Sequence, residues 1–158
     1  MKISLLRTDA SSQDFRDLVA GLDLYLSERY GHEQTFFTQY NQLDDIKHVV
    51  VAYINGEAVG GGAFKKYEGN VAEIKRMFAR PAARGKGVAT KVLAELEDWA
   101  TEVGFKSCVL ETLKMNDDAI GLYLKNGYET IPNYGQYQHT ESSVCMGKKI
   151  TTESSERC

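Results

Sequence analysis

The chain has 158 residues, a net charge of −3, and 42% hydrophobic and 26% charged residues. This length and usage suit one globular domain with one core and argue against a disordered or membrane-embedded chain. The slightly acidic balance leaves no broad basic surface to neutralise a nucleic-acid backbone, so general nucleic-acid binding is excluded.

No apolar run approaches the roughly 20 residues that cross a bilayer. Met1-Lys2-Ile3-Ser4 lacks the apolar stretch of a signal peptide, and a cytoplasmic protein is expected. Residues 2–7 read as a strand ended by Thr8 and Asp9. Ser11 or Ser12 then caps an amphipathic helix in which Phe15, Leu18, Val19, Leu22, Tyr25 and Leu26 recur at three- and four-residue steps as far as Tyr30. The polar and aromatic segment 35–47 reads as a short helix or loop. A meander follows: strand 48–54, a turn at Asn55-Gly56, strand 57–66, a turn at Gly69-Asn70, and strand 71–79. Asn-Gly between apolar runs predicts a hairpin whose two central residues both take positive φ.

After Pro81 the apolar period becomes helical, with Val88, Val92, Leu93, Leu96, Trp99 and Ala100 on one face and Gly104 as the stop. Strand 106–112 comes next. Asn116 then caps a helix that carries Asp117 and Asp118 in its first turn and stops at Asn126-Gly127. Residues 128–131 and 143–149 are the last strands, and residues 151–158 read as a disordered tail. The expectation is a single α+β domain over residues 1–150, a mixed sheet with helices on both faces.

Cys108 and Cys145 sit in apolar runs and read as buried thiols, and Cys158 as a loose one. His32, His48 and His139 are scattered, with no ligand spacing, so no metal site is expected. The chemistry concentrates in Arg84-Gly85-Lys86-Gly87-Val88-Ala89, directly between a strand and a long helix. Helix starts expose unpaired N–H groups, and glycines let the backbone approach an anion such as a pyrophosphate. Arg84 and Lys86 add mobile cations, and small Ala89 permits close approach. A tight turn that simply needs glycine explains the same residues. Neither the P-loop spacing nor the three-glycine dinucleotide fingerprint fits.

The segment resembles the GNAT acyltransferase superfamily, whose motif is Arg/Gln-x-x-Gly-x-Gly/Ala at a strand-to-helix junction. Arg84, Gly87 and Ala89 match it, with Arg80-Pro81 preceding. Glu73 to Phe78 resembles that family's fourth strand, and Asn116, Ala119, Leu122, Tyr123, Asn126, Gly127 and Tyr128 resemble its later helix, so the likeness covers residues 70–130.

The resemblance implies the acyl-CoA N-acyltransferase fold, a mostly antiparallel sheet splayed around the pantetheine arm, with acetyl-CoA as donor. It implies cofactor contacts from Met77, Phe78 and Ala79 as strand-like partners, from Arg84, Gly85, Lys86, Gly87, Val88 and Ala89 at the helix start, and from Asn116, Ala119 and Tyr123. An amide near Met77 or Phe78 is the candidate oxyanion donor. Glu73 is the candidate base for an acceptor ammonium, with a strand-surface carboxylate or a substrate-charge ligand as alternatives. Tyr123 is the candidate acid toward the leaving thiolate, with core packing as its alternative. Tyr25, Glu28, Tyr30, Phe36, Phe37, Tyr134, Tyr137 and His139 are unassigned candidates for lining an acceptor pocket.

The implied function is N-acetylation of a small-molecule or amino-acid-like primary amine in a ternary complex, with a homodimer as the fair expectation for the assembly. A protein acetyltransferase and a non-catalytic acyl-CoA sensing module stand as alternatives.

Overall fold

The computed structural model describes residues 2–30 and 46–151. Strands β1 (Ile3–Thr8), β2 (His48–Ile54), β3 (Glu57–Glu68), β4 (Val71–Ala79), β5 (Ser107–Leu113), β6 (Glu129–Ile131) and β7 (Ser143–Lys149) pair in the order β1-β2-β3-β4-β5-β7-β6. The pairs β1/β2, β2/β3, β5/β7 and β6/β7 are antiparallel and β4/β5 is parallel, so the sheet is mixed and mostly antiparallel, as expected. The described helices are α1 (Gln13–Tyr30), α2 (Val88–Glu102) and α3 (Asp117–Lys125). None is long and apolar enough to cross a membrane. His32, Phe36, Phe37, the segment 35–45 and the tail 152–158 lie outside the described residues, as does the side chain of Tyr30.

Local chemistry sets the boundaries. Ser12 Oγ accepts from the Phe15 amide at 3.1 Å and opens α1. Asn55 and Gly56 take φ of 53° and 81°, the left-handed pair that the β2–β3 hairpin demands. Strand β3 runs two residues past the expected Lys66, because Lys65 to Glu68 keep alternating half-buried and exposed after the apolar content ends. Pro81–Ala83 forms a 3-10 turn, and α2 starts only at Val88, since Gly85 and Gly87 both adopt positive φ.

The contacts cluster into two compact units, residues 1–65 with 75–96, and residues 66–74 with 97–158. In the first, Phe15, Leu18, Val19 and Leu22 of α1 pack with Val49 and Val51 of β2, Ala63 of β3 and Phe78 of β4. Three successive glycines of β3 let helices approach. A Cβ on Gly60 would lie 2.6 Å from Val88 Cγ1 and 2.9 Å from the Phe78 carbonyl oxygen, and one on Gly62 would lie 3.1 Å from Leu96 Cδ1. A Cβ on Gly61 would point the other way, 3.4 Å from Leu18 Cδ1. Helices α1 and α2 therefore lie on opposite faces of β3, and the first residue of α2 is seated on Gly60. Gly60→Ala is expected to cost about 1–3 kcal/mol through overpacking. Thermal denaturation reads this directly, and an unchanged melting temperature would refute the close seat.

In the second unit, Cys108, Leu110, Tyr128, Tyr137, Cys145 and Met146 are buried. The two oxygens of Glu97, at the C-terminal half of α2, accept from Tyr128 Oη at 2.8 Å and Lys148 Nζ at 2.9 Å. Both lone-pair sets of this half-buried carboxylate thus find donors, which offsets its desolvation. Burial, followed by the Glu97 charge, pushes the Cys108 thiol up to about 12, and burial pushes Cys145 up to about 11. Both stay protonated in neutral water, as structural thiols do.

Candidate functional site

The residues singled out in the sequence fall into two groups, one in each unit. In the first unit, a Cβ built on Gly85 (φ 81°) or Gly87 (φ 82°) would meet nothing within 4 Å. The Lys91 amide donates to the Gly87 carbonyl at 3.1 Å. The amides of Val88, Ala89 and Thr90 therefore precede the first bond of α2, and Gly87 has no side chain to cap them. The first turn of α2 also contains no acidic residue. Helix α3 starts differently: Asn116 Oδ1 accepts from the Ala119 amide at 3.2 Å, and Asp117 and Asp118 complement the positive end. One helix supplies its own cap, and the other presents its amides.

Arg84 departs from the expected mobile cation. Its Nε donates to the Ala79 carbonyl at 3.0 Å, and its guanidinium carbon lies 4.7 Å from the Tyr25 ring centroid and 5.7 Å from that of Phe78. A planar guanidinium stacks and donates in this way at little entropic cost, so it braces the turn between β4 and α2. Tyr25, a candidate pocket residue, serves that brace. Lys86, one residue before Gly87, donates from Nζ to the Ala82 carbonyl at 3.3 Å.

Strand β4 hides a feature that no motif announces. Arg76 has φ of 60°, a left-handed conformation costing a non-glycine residue about 1–2 kcal/mol. Its Nη1 pairs with Asp23 Oδ1 of α1 at 2.7 Å. The kink breaks the strand's alternation just before Met77, Phe78 and Ala79. The Phe78 side chain belongs to the core, which leaves its backbone as the part able to meet a ligand.

In the second unit, Glu73 is 4% exposed and accepts from Tyr134 Oη at 2.8 Å. The strand-surface alternative for Glu73 is therefore replaced by a buried, held carboxylate. The β4–β5 register is Val71↔Ser107, Ala72↔Cys108 and Glu73↔Val109, with β4 running on to Ala79 and β5 to Leu113. Tyr123 is buried, its ring edge-on to Tyr128 at 5.7 Å. Burial, then the Glu111 charge, raises the Tyr123 hydroxyl well above its usual range and keeps it protonated.

Glu111 accepts from Ser143 Oγ at 2.7 Å. Tyr134 and Tyr137 complete this cluster, and the sequence alone could not pair Tyr134 with Glu73 across sixty-one positions. His48 stacks on Phe64 at 4.6 Å, in the first unit, with its pKa lowered by burial, and His139 is exposed on a late loop. Among the described residues no three His, Cys, Asp or Glu side chains are grouped to hold a metal ion.

A glycine-led helix start thus follows a kinked strand, with Arg76 at φ 60° and Gly85 and Gly87 at 81° and 82°. Residues 14–128 match the family model described as Acetyltransferase (GNAT) family. The chain belongs to the GNAT acetyltransferase family. Its activity is that of an acetyltransferase with acetyl-CoA as donor.

An IAA acetyltransferase of Azospirillum brasilense is 34% identical over 136 residues, covering 84% of this chain and 88% of that one. The uncharacterized N-acetyltransferase YjgM of Escherichia coli is 42% identical over 105 residues, 64% of this chain and 62% of its own length. Among solved structures, a Klebsiella pneumoniae protein assigned to the acyl-CoA N-acyltransferases superposes with a TM-score of 0.80 at 28% identity, covering 94% of this chain and 98% of that one. The PaiA N-acetyltransferase of Thermoplasma acidophilum, solved with coenzyme A, shares the fold with a TM-score of 0.66 at 22% identity, covering 94% and 99%.

Proposed function

We propose that this GNAT acetyltransferase moves the acetyl group of acetyl-CoA to the primary amine of a small or amino-acid-like molecule by direct attack in a ternary complex. The observation that carries the reading is the start of α2, where the amides of Val88, Ala89 and Thr90 precede the first helical bond, Gly87 brings no side chain to cap them, and Gly85 and Gly87 leave the approach open. A diphosphate fits such a cradle, because it accepts several amide donors at once at the positive end of the helix. Lys86 adds charge, and Arg84 holds the turn in shape. Met77 and Ala79 offer backbone groups for strand-like pairing with the pantetheine arm, and Asn116 and Ala119, at the capped start of α3, are candidate contacts for the same cofactor.

Acetyl-CoA supplies an activated thioester. The acceptor must arrive as a free amine, and a Lys-like ammonium with a pKa near ~10.4 is almost wholly protonated in neutral water. Glu73 takes that proton, directly or through a water. Tyr123, held protonated by its burial, donates a hydrogen bond to the departing sulfur and releases its proton as the C–S bond breaks. A thiol titrates near ~8.5, below a phenol, so the transfer is concerted with return of a proton to Tyr123 from the attacking nitrogen as the amide forms, leaving amide, coenzyme A thiol and a neutral tyrosine. Tyr123→Phe is expected to lower kcat by about ten- to hundredfold while coenzyme affinity holds. A wild-type rate in that variant would remove this role.

Calorimetric titration with coenzyme A, followed by thiol-release assays on an amine panel that also includes IAA and peptides, tests the reading. Binding without turnover on the panel would turn the protein into a coenzyme sensor. Turnover confined to peptides would move it to the protein acetyltransferases.

A further inference from the structure

The loop between β6 and β7 contains a residue whose geometry exceeds what packing needs. Tyr134 follows Asn133, whose side-chain amide donates to the carbonyls of Tyr137, Thr140 and Ser143 at 3.2, 3.2 and 3.3 Å and ties the loop between β6 and β7 together. Gly135 takes φ of 53° directly after Tyr134, turning the chain into a short 3-10 segment. The Tyr134 ring lies 4.8 Å from that of Tyr67 at 60° and 5.6 Å from that of Tyr137 at 89°. These contacts fix both the ring plane and the direction of its hydroxyl, which ends 2.8 Å from Glu73 Oε2. Two aromatic neighbours, a bonded loop and a left-handed glycine thus converge on one hydrogen bond.

We propose that Tyr134 is a positioning residue for acyl transfer, holding the Glu73 carboxylate in the single orientation from which it receives the acceptor's proton. This rests on the role of Glu73 given above. A buried carboxylate has several rotamers and is costly without donors. A phenol that cannot itself ionise near neutrality supplies one donor and selects one rotamer. Burial first, then the Glu73 charge and the shared hydrogen bond, push the Tyr134 hydroxyl far above its usual range. Tyr137 is raised by burial and by the charges of Glu73 and Glu111, and Cys145 is raised chiefly by burial, so neither gives up its proton near neutrality. Tyr134 therefore stays a donor throughout the working range.

The test is a double-mutant cycle on the full chain, with Tyr134→Phe, Glu73→Gln and the pair. Phenylalanine keeps both ring contacts, so the fold is preserved, and the melting temperature and the KM for acetyl-CoA are expected to stay at wild-type values. In the single variant, kcat is expected to fall about tenfold, and in the Glu73→Gln background the same change is expected to have no further effect, because residues acting through one another are not additive. A loss that multiplies with that of Glu73→Gln, or no loss in the single variant, overturns the proposal. Glu73→Gln alone turning over at the wild-type rate would instead sink the base assignment itself, an outcome separable from the other two.

Discussion

Gly87→Asp is expected to abolish coenzyme A binding in calorimetry while leaving the melting temperature within about 3 °C of wild type. The two readouts part because the substitution acts twice on one helix start. Gly87 is the residue whose carbonyl accepts the first bond of α2, and its φ is 82°. An aspartate there gains about 1 kcal/mol as an N-cap and loses about 1–2 kcal/mol to the left-handed backbone. Stability therefore barely moves.

Coenzyme binding loses on both counts. The new carboxylate occupies the amides of Ala89 or Thr90 that the diphosphate needs, and it places a negative charge beside the anion. Each charge-assisted hydrogen bond forgone is worth about 1.5–3 kcal/mol, so Kd is expected to rise at least about a hundredfold. Retained affinity would mean that the α2 start does not hold the diphosphate, and the assignment of Gly85, Lys86, Gly87, Val88 and Ala89 would fall with it. Gly87→Asn keeps the capping side chain without the charge, and its smaller loss separates competition for the amides from repulsion.

The element order was legible because the strong signals are local. Asn55-Gly56 demands its hairpin, Asn116 with Asp117 and Asp118 demands a helix start, and the apolar spacing from Val88 to Ala100 demands a helix. The glycine-led start of α2 was legible for the same reason, since Gly85 and Gly87 act through their own backbone, at φ of 81° and 82°. What escaped depends on distance. Arg84 looks like a ligand in a linear reading, and only folding brings Tyr25 and the Ala79 carbonyl to its guanidinium. The left-handed turn at Arg76 gives no sign in a strand-like run such as Val71 to Ala79, because it is enforced by tertiary contacts such as the pair with Asp23. Gly60, Gly61 and Gly62 have no visible purpose within strand 57–66 until the close seats of Val88 and Leu18 explain them. The face on which Glu73 falls was undecidable by alternation, since a one-residue slip inverts it.

Glu73→Gln is expected to lower kcat by about a hundredfold or more near neutral pH. Glutamine is isosteric and its carbonyl still accepts from Tyr134 Oη, so the 4% exposed site remains filled and bonded. Coenzyme affinity should hold, since the cradle is built from other residues. The pattern of kinetic change discriminates between the two remaining roles of this carboxylate. If Glu73 only attracts the positive charge of the acceptor, the variant raises the amine KM and leaves kcat intact.

If Glu73 removes the proton, the defect lies in kcat and depends on pH in a definite direction. An amine already neutral in solution needs no base, so the deficit should shrink as the pH is raised toward the amine's own pKa of ~10.4. Acceptors of lower pKa should recover at correspondingly lower pH. A deficit that stays constant across the pH range and across such acceptors would show that Glu73 shapes the site without moving the proton.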